Sequence, residues 1–166
     1  MIKLDFQSDR KIINTIDKEV AIVLIYFLRK KRRLCFLLKD EDKGIYNIYV
    51  PTDEKVVSLL TEFKSNYEKI REECFKILEK VKNPTIDDLK FLTKFFLIDI
   101  LIELVPMDLN LIKIEKIEDF GKERVYYLKD IRSVLILIKY FKQNCHYDFE
   151  NLWVSVEKDK TGKLVF

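Results

Sequence analysis

The only histidine of the chain, His146, stands between Cys145 and Tyr147, with Asp148 two residues further on. A cysteine, a histidine and an aspartate can act as nucleophile, base and orienting acid when their side chains lie within hydrogen-bond reach of one another. Adjacent residues rarely direct their side chains at each other, so we interpret this stretch as a loop after a C-terminal element. A single histidine also excludes a multi-histidine metal site and a Ser-His triad elsewhere in the chain.

A second group with catalytic potential surrounds the glycine at position 121. A metal-dependent nuclease needs two or three carboxylates and a lysine that converge at strand ends, because Mg²⁺ prefers a few hard oxygen ligands. No such series lies on a clear strand here, since alternation places Lys113 and Glu115 on one outer face. We favour a solvated hairpin and keep a metal-dependent nuclease as the alternative function. The group consists of Glu115, Glu118, Asp119, Lys122, Glu123 and Lys129.

Five consecutive cations separate two apolar runs near the start of the chain. Clustered lysines and arginines can bind the phosphates of nucleic acid, because each contact releases condensed counterions. The alternative is a solvated helix end or turn that the acids at 40–42 partly neutralise. Residues 1–51 carry 11 cations and 7 anions, so we expect any polyanion contact in this third of the chain. The predicted nucleic-acid-binding residues are Arg29, Lys30, Lys31, Arg32 and Arg33.

Most aromatic residues lie within apolar stripes, which is typical of core residues. Four others, in the last third of the chain, are the ones that could form a stacking or partner-binding surface. Tyrosine and tryptophan combine a large apolar surface with a polar group, which suits them to interfaces and to base stacking. We predict a partner-binding surface that is formed by Tyr126, Tyr127, Tyr147 and Trp153.

Glycine and cysteine spacing argues against bound cofactors. The three glycines lie far apart, so the sequence has no glycine-rich loop that could hold a phosphate. The three cysteines are widely spaced and odd in number, which gives neither a Cys-x-x-Cys pair nor a disulfide framework. We therefore expect no nucleotide cofactor, no metal and no other cofactor.

Length and composition indicate one domain of 166 residues with ample apolar area for a core. This domain could divide into a helical core over about 1–110 and a small β-rich subdomain over about 111–166. The longest uncharged apolar run, Val20 to Leu28, has nine residues, whereas a membrane span needs roughly 20. The first residues mix charges where a signal peptide would be apolar. We expect a cytoplasmic protein without membrane contact.

The first third of the sequence contains a short strand, a helix and a hairpin. Residues 1–6 alternate apolar and polar side chains, and apolar positions at steps of three and four predict a helix over 9–30. The β-branched run at 20–28 could equally be a buried strand. Two apolar runs, 34–38 and 45–50, flank an acidic loop that ends in Gly44, which indicates a β-hairpin.

The middle of the sequence predicts two long helices. Thr52 is the expected N-cap of a helix over 53–82, and Thr85 with Asp88 has the spacing of a capping box for a second helix over 86–105. Pro106 ends that helix. A joint of two or three residues makes the pair a helical hairpin.

The last third predicts a hairpin that turns at Gly121 and another that turns at Gly162. Between them, residues 131–144 have helical spacing, although 134–138 could form a buried strand. The sequence shows no internal repeat. The predicted fold class is α+β, with a central helical hairpin of two long helices and β-hairpins in the N-terminal third and at the C-terminus.

These observations favour a non-catalytic role. We predict a subunit or adaptor of a multi-protein assembly that acts on nucleic acid, of the kind found in replication, CRISPR or viral accessory systems. The expected partners are another protein or further copies of this chain, and nucleic acid through the basic run. Abundant lysine and glutamate with only two glutamines is typical of hyperthermophiles, although an AT-rich genome also favours lysine. We expect the source to be a thermophilic archaeon or one of its viruses.

Overall fold

The computed structural model describes residues 2–8, 10–51, 55–161 and 163–164. The chain packs as two compact units, and each contains helices and an antiparallel sheet, so the predicted α+β class is confirmed. The first unit spans 1–78 together with 94–96, and the second spans 79–93 together with 97–166. No helix in the described ranges is long and apolar enough to cross a membrane.

The first unit is built on a four-stranded antiparallel sheet with one helix between its two hairpins. The strand order across the sheet is β1-β2-β4-β3, and the helix α1 contacts β2 and β4. The elements are β1 (Asp5–Gln7), β2 (Ile12–Thr15), α1 (Lys18–Lys30), β3 (Phe36–Asp40) and β4 (Ile45–Tyr49).

Helix α1 begins at an aspartate cap and is buried on all sides. The Asp17 carboxylate accepts hydrogen bonds from the backbone N–H groups of Glu19 and Val20, which satisfies donors that the first helical turn leaves free. Every residue from Val20 to Leu28 is buried, because the helix lies between the sheet and two further helices. This burial explains why the run is apolar throughout and not amphipathic, and it confirms the helix over the rival strand.

The predicted helix over 9–30 is wrong at its N-terminal end, where residues 12–15 form β2. Ile13 and Thr15 are buried and alternate with the half-buried Ile12 and Asn14. This is the pattern of a central strand that is covered on one face. Pairing of β2 with both β1 and β4 overrides the helical spacing of the isoleucines.

The two long helices predicted for the middle of the chain are each interrupted. The first is divided at Asn66, whose side-chain amide donates a hydrogen bond to the carbonyl of Glu62 at 3.0 Å and so competes with the regular backbone pattern. A 3-10 turn at Glu79–Lys82 follows it. The predicted cap Thr52 and the first turn at 53–54 lie outside the described residues. The two parts are α2 (Lys55–Ser65) and α3 (Tyr67–Leu78).

The second predicted helix is broken between residues 93 and 97. Phe96 is 1% exposed and stacks on Tyr26 at a ring distance of 5.8 Å, so burial of this ring in the first unit interrupts the helix. The predicted capping box is confirmed, because Thr85 and Asp88 each bond the backbone of the other. The two parts are α4 (Ile86–Leu92) and α5 (Ile98–Leu104).

The second unit contains the remaining strands, in the order β5-β6-β8-β7. The hairpin at Gly121 (φ +81°) and the helix after it are confirmed. The loop expected at 145–148 instead contains a strand that pairs with β8. Of the hairpin expected around Gly162, which lies outside the described residues, a single bridge joins Lys158 and Leu164. The elements are β5 (Ile114–Asp119), β6 (Glu123–Leu128), α6 (Ile131–Tyr140), β7 (His146–Asp148) and β8 (Trp153–Glu157).

The two units share one topology, although the sequence shows no repeat. Each has a hairpin, a buried helix and a second hairpin, with the last strand inserted next to the second. The helices α1 and α6 also end alike, at Arg32 (φ +59°) and Lys142 (φ +52°). After α1, the N–H group of Arg33 donates a hydrogen bond to the carbonyl five residues earlier, and after α6 the N–H group of Gln143 does the same. Both ends are therefore Schellman motifs without glycine.

Candidate nucleic-acid interface

The five predicted nucleic-acid-binding residues occupy the end of α1 and the turn that follows it. Arg29 and Lys30 belong to the last helical turn, Lys31 is the C-cap, and Arg32 has the left-handed backbone of the Schellman motif. This turn reverses the chain towards β3. The positions at 30–32 are exposed, whereas Arg29 and Arg33 are half-buried.

Within the described residues, Lys30 and Lys31 are paired with carboxylates on α3 and α2. Lys30 forms an ion pair with Glu73, and the Nζ atom of Lys31 lies 3.1 Å from Oε1 of Glu62. The hydrogen bonds from Lys30 and from Tyr26 lower the pKa of the Glu73 carboxyl group. These two lysines hold the helices together, so the run does not act as one group of five free charges.

The acids at 40–42 lie at the opposite end of the β3–β4 hairpin. Strand β3 separates them from the basic run, because Phe36 begins the strand and Asp40 ends it. Five residues of extended strand span roughly 17 Å, about twice the Debye length at physiological salt. The interpretation that these acids neutralise the basic run is therefore wrong, and Glu62 and Glu73 are the carboxylates that pair with it.

Two further cations, Arg10 and Lys11, lie at the same end of the sheet as the basic run. They form the β1–β2 turn, where the carbonyl of Lys11 accepts a hydrogen bond from Val50 N–H at the end of β4. Sequence reasoning missed them because it assigned this stretch to a helix. The basic rim of the first sheet consists of Arg10, Lys11, Arg32 and Arg33.

Three of the four rim cations, Arg10, Lys11 and Arg32, are exposed, and none of these three has an ion-pair partner in the part of the chain that the structure describes. Arg33 is half-buried and makes an interaction of its own. Strand β1 and strand β3 lie at opposite edges of the sheet. The rim therefore extends along one whole end of the sheet, over roughly 14 Å for three strand spacings.

The sheet face opposite α1, here called the outer face, adjoins the basic rim. Ile13 and Ile48 are fully buried on the α1 side, and the alternate residues point outwards. Leu34, Phe36 and Leu38 are 73%, 65% and 60% exposed. Residues that are paired across the four strands form rows on this face. The row nearest the rim contains Phe36, Tyr49, Ile12 and Gln7. The next row contains Leu38, Asn47, Asn14 and Asp5.

The four predicted partner-binding aromatics do not form one surface. Strand register places Tyr127 and Trp153 side by side on the face of the second sheet that points away from α6. Tyr126 and Tyr147 lie on the α6 side, where the Tyr126 ring is 5.8 Å from the buried ring of Phe141. A partner-binding role for these residues stays a prediction.

The outward face of the second sheet has a shallow cavity of about 450 Å³. Lys116 already covers the Tyr127 ring at 4.6 Å and pairs with Glu118 at 3.0 Å. Glu118, Glu123 and Glu157 share this face by register, so its charge disfavours a polyanion. The cavity is lined by Phe120, Glu123, Val125, Tyr127, His146, Trp153 and Ser155.

The Cys145-His146-Asp148 stretch shows structural roles. Burial raises the pKa of the Cys145 thiol to about 11, which leaves it protonated and weakly nucleophilic at neutral pH. The Asp148 carboxylate accepts hydrogen bonds from the N–H groups of Glu150 and Asn151 and thereby forms the β7–β8 turn. Neither group is placed for a dyad with His146.

Two of the acids around Gly121, Glu118 and Asp119, are paired with lysine or arginine side chains, and Glu123 accepts a hydrogen bond from Ser155. The Asp119 carboxylate bonds Lys158 and lies 3.4 Å from Nη2 of Arg124. The hydrogen bond from Lys158 is the main reason why the pKa of Asp119 falls to about 2. Among the described residues, no group of three or more histidine, cysteine or acidic side chains is placed to hold a metal ion.

The basic rim and the outer face beside it thus form the strongest candidate interface of the described chain. Comparison of the chain with protein-family models, with curated proteins and with solved structures finds no match.

Proposed function

We propose that this chain is a non-catalytic, nucleic-acid-binding subunit or adaptor, and that it contacts phosphates through the basic rim. The observation that carries the proposal is the alignment of three exposed cations, Arg10, Lys11 and Arg32, which come from two separate turns along one end of an open sheet. Each cation that neutralises a phosphate releases counterions, which favours binding without sequence preference.

The distribution of acids supports the same role. Among the described residues, the acids at 5 and at 40–42 lie at the far ends of β1 and β3. Lys39 and Lys43 flank the acids at 40–42, and Lys39 pairs with Glu41 at 3.5 Å. The rim end is therefore the more basic of the two ends and the one that favours a polyanion. The open sheet face beside the rim end leaves room for a ligand that is longer than a single phosphate.

The non-catalytic part of the proposal is supported by the state of the reactive groups. Asp119 is engaged by Lys158 and Arg124, and the Ser155 hydroxyl donates its hydrogen bond to Glu123 at 2.8 Å and not to a base such as histidine. No specific observation favours the metal-dependent nuclease, and a protein partner or homo-oligomer stays a prediction.

Charge reversal at the rim tests the proposal. We expect the double variant Arg10→Glu with Arg32→Glu to bind a labelled oligonucleotide at least tenfold more weakly than the wild type at low salt. Both side chains are exposed, so the circular dichroism spectrum is expected to stay unchanged. Fluorescence anisotropy is the measurement, with single-stranded and duplex probes.

A matched control makes the same charge change on the second unit. Lys122 and Lys160 are exposed and lie near each other at the edge of a shallow cavity. The double variant Lys122→Glu with Lys160→Glu alters the net charge of the chain by the same amount. The proposal requires this control to weaken binding much less, whereas equal losses in both variants would mean that only the net charge matters.

A further inference from the structure

We infer that the ligand is a single-stranded nucleic acid whose bases stack on the aromatic row of the outer face while its phosphates follow the basic rim. This inference rests on the proposed function and adds the ligand class and its orientation. Four observations carry it: an aromatic pair of which one ring is exposed, a neighbouring row of amides, the polarity of the sheet and the openness of the face.

The aromatic pair is formed by Phe36 on the edge strand β3 and Tyr49 on β4. The two residues are directly opposite each other in the antiparallel register, so their Cβ atoms lie about 5 Å apart. Phe36 is 65% exposed, although its burial would be favourable. An exposed ring next to phosphate-binding cations is the arrangement on which unpaired bases stack, since every base has a flat apolar face.

The second row places amide groups one step further from the rim. Asn47 and Asn14 are opposite each other on β4 and β2, and both side chains are half-buried. Amides can bond the edges of bases that lie over the aromatic row, and a duplex does not expose the Watson–Crick edges.

The charge polarity of the sheet determines how the single-stranded nucleic acid is oriented on it. The basic rim is at the end where Phe36 and Tyr49 lie, whereas Asp5 and Asp40 lie towards the opposite end. The phosphate backbone is therefore expected to run along the rim, across the strands from β1 to β3, with its bases directed inwards. A row of roughly 14 Å accommodates two or three stacked bases, as open four-stranded sheets do in other RNA-binding modules.

The experiment compares short single-stranded and duplex probes of equal length by fluorescence anisotropy at low salt. We expect the wild type to prefer the single strand, and Phe36→Ala to weaken single-strand binding about tenfold. Duplex binding is expected to change less than twofold, because the duplex contacts only the rim. Phe36→Trp keeps a stacking ring and is expected to retain the wild-type preference.

The matched control is Phe120→Ala, which removes an aromatic ring that is 57% exposed on the second unit. It is expected to leave both affinities unchanged. A wild type that binds both probes equally, with no effect of Phe36→Ala, would overturn the single-strand inference. The proposed function would still stand in that case if Arg10→Glu with Arg32→Glu weakened both probes.

A different result would show that the outer face binds protein. If Phe36→Ala abolished self-association in light scattering and left single-strand affinity unchanged, the face would be a protein interface and the inference would be wrong. A wild type that binds neither probe at low salt would overturn both the inference and the proposed function.

Discussion

Replacing Arg32 by glycine separates the stability of the first unit from its proposed binding of nucleic acid. Arg32 adopts φ +59° at the end of α1, a backbone that brings the Cβ atom of any L-residue close to the following carbonyl oxygen. Glycine has no Cβ atom and adopts this conformation without strain. The substitution therefore removes strain and a rim cation together, and we expect the variant to be more stable and to bind more weakly.

The magnitude follows from two opposing contributions. Release of the left-handed strain stabilises the fold by about 1–2 kcal/mol, while the greater chain entropy of glycine in the unfolded state offsets about 0.5–1 kcal/mol of this gain. The Arg32 side chain is exposed and has no ion-pair partner among the described residues, so its loss adds little. We expect a net stabilisation of about 0.5–1 kcal/mol.

Urea unfolding followed by far-ultraviolet circular dichroism measures this change, with oligonucleotide binding measured in parallel. Arg32→Ala is the matched control, because it removes the same charge and keeps the strained Cβ atom. Arg32→Gly should be the more stable of the two by at least 0.5 kcal/mol, with equal binding. Equal stability of the two variants would refute the left-handed helix end, and wild-type affinity in both would refute the role of Arg32 in the rim.

Three further predictions concern the fold. Lys142→Gly, at the equivalent position of α6, should stabilise the second unit by about 0.5–1 kcal/mol without any change in binding, and fluorescence of Trp153 reports its unfolding. Phe96→Ala should destabilise the first unit by about 3–5 kcal/mol, measured by urea unfolding, because the ring is buried against Tyr26; a loss below about 1 kcal/mol would contradict that packing. Asp119→Asn should be less stable than the wild type above pH 4, because the folded-state pKa of Asp119 is about 2, below the usual value of about 4. The difference in unfolding free energy between the two proteins should shrink as the pH falls from 4 to 2. A constant difference across that range would refute the ion pair.

The sequence predicted the hairpins well because their signals are local. Alternating apolar residues on both sides of Gly44 and Gly121 indicate strands and turns within a few residues. The same holds for the capping box at Thr85. Strand β2 was missed because its identity depends on pairing with β4, which lies more than 30 residues away in the chain. The helical spacing of its isoleucines was the stronger local signal.

The break in the second long helix also depends on a distant contact. Phe96 interrupts the second helix because its ring packs on Tyr26, a residue of α1, and no local pattern shows that contact. The shared topology of the two units escaped detection for a related reason. A buried helix such as α1 or α6 requires apolar residues at its positions, but it does not require the same residues in both units.

The candidate site was predicted in part. The basic run at 29–33 is visible as composition, but the pairing of Lys30 and Lys31, which leaves Arg32 exposed, depends on Glu62 and Glu73 of other helices. Arg10 and Lys11 join the site only because the sheet brings two turns to one end. Strand length, and not sequence distance alone, determines that the acids at 40–42 lie too far away to neutralise the rim.

The salt dependence of single-strand binding tests the central claim most directly. Each phosphate neutralised on a single strand contributes a slope of about −0.7 to the plot of log affinity against log salt concentration. A rim that engages three or four phosphates therefore predicts a slope of about −2 to −3 for the wild type. The double variant Arg10→Glu with Arg32→Glu should give a slope closer to zero by about 1.4. A wild-type slope near zero, or the same steep slope in the wild type and in the variant, would contradict phosphate binding by the basic rim.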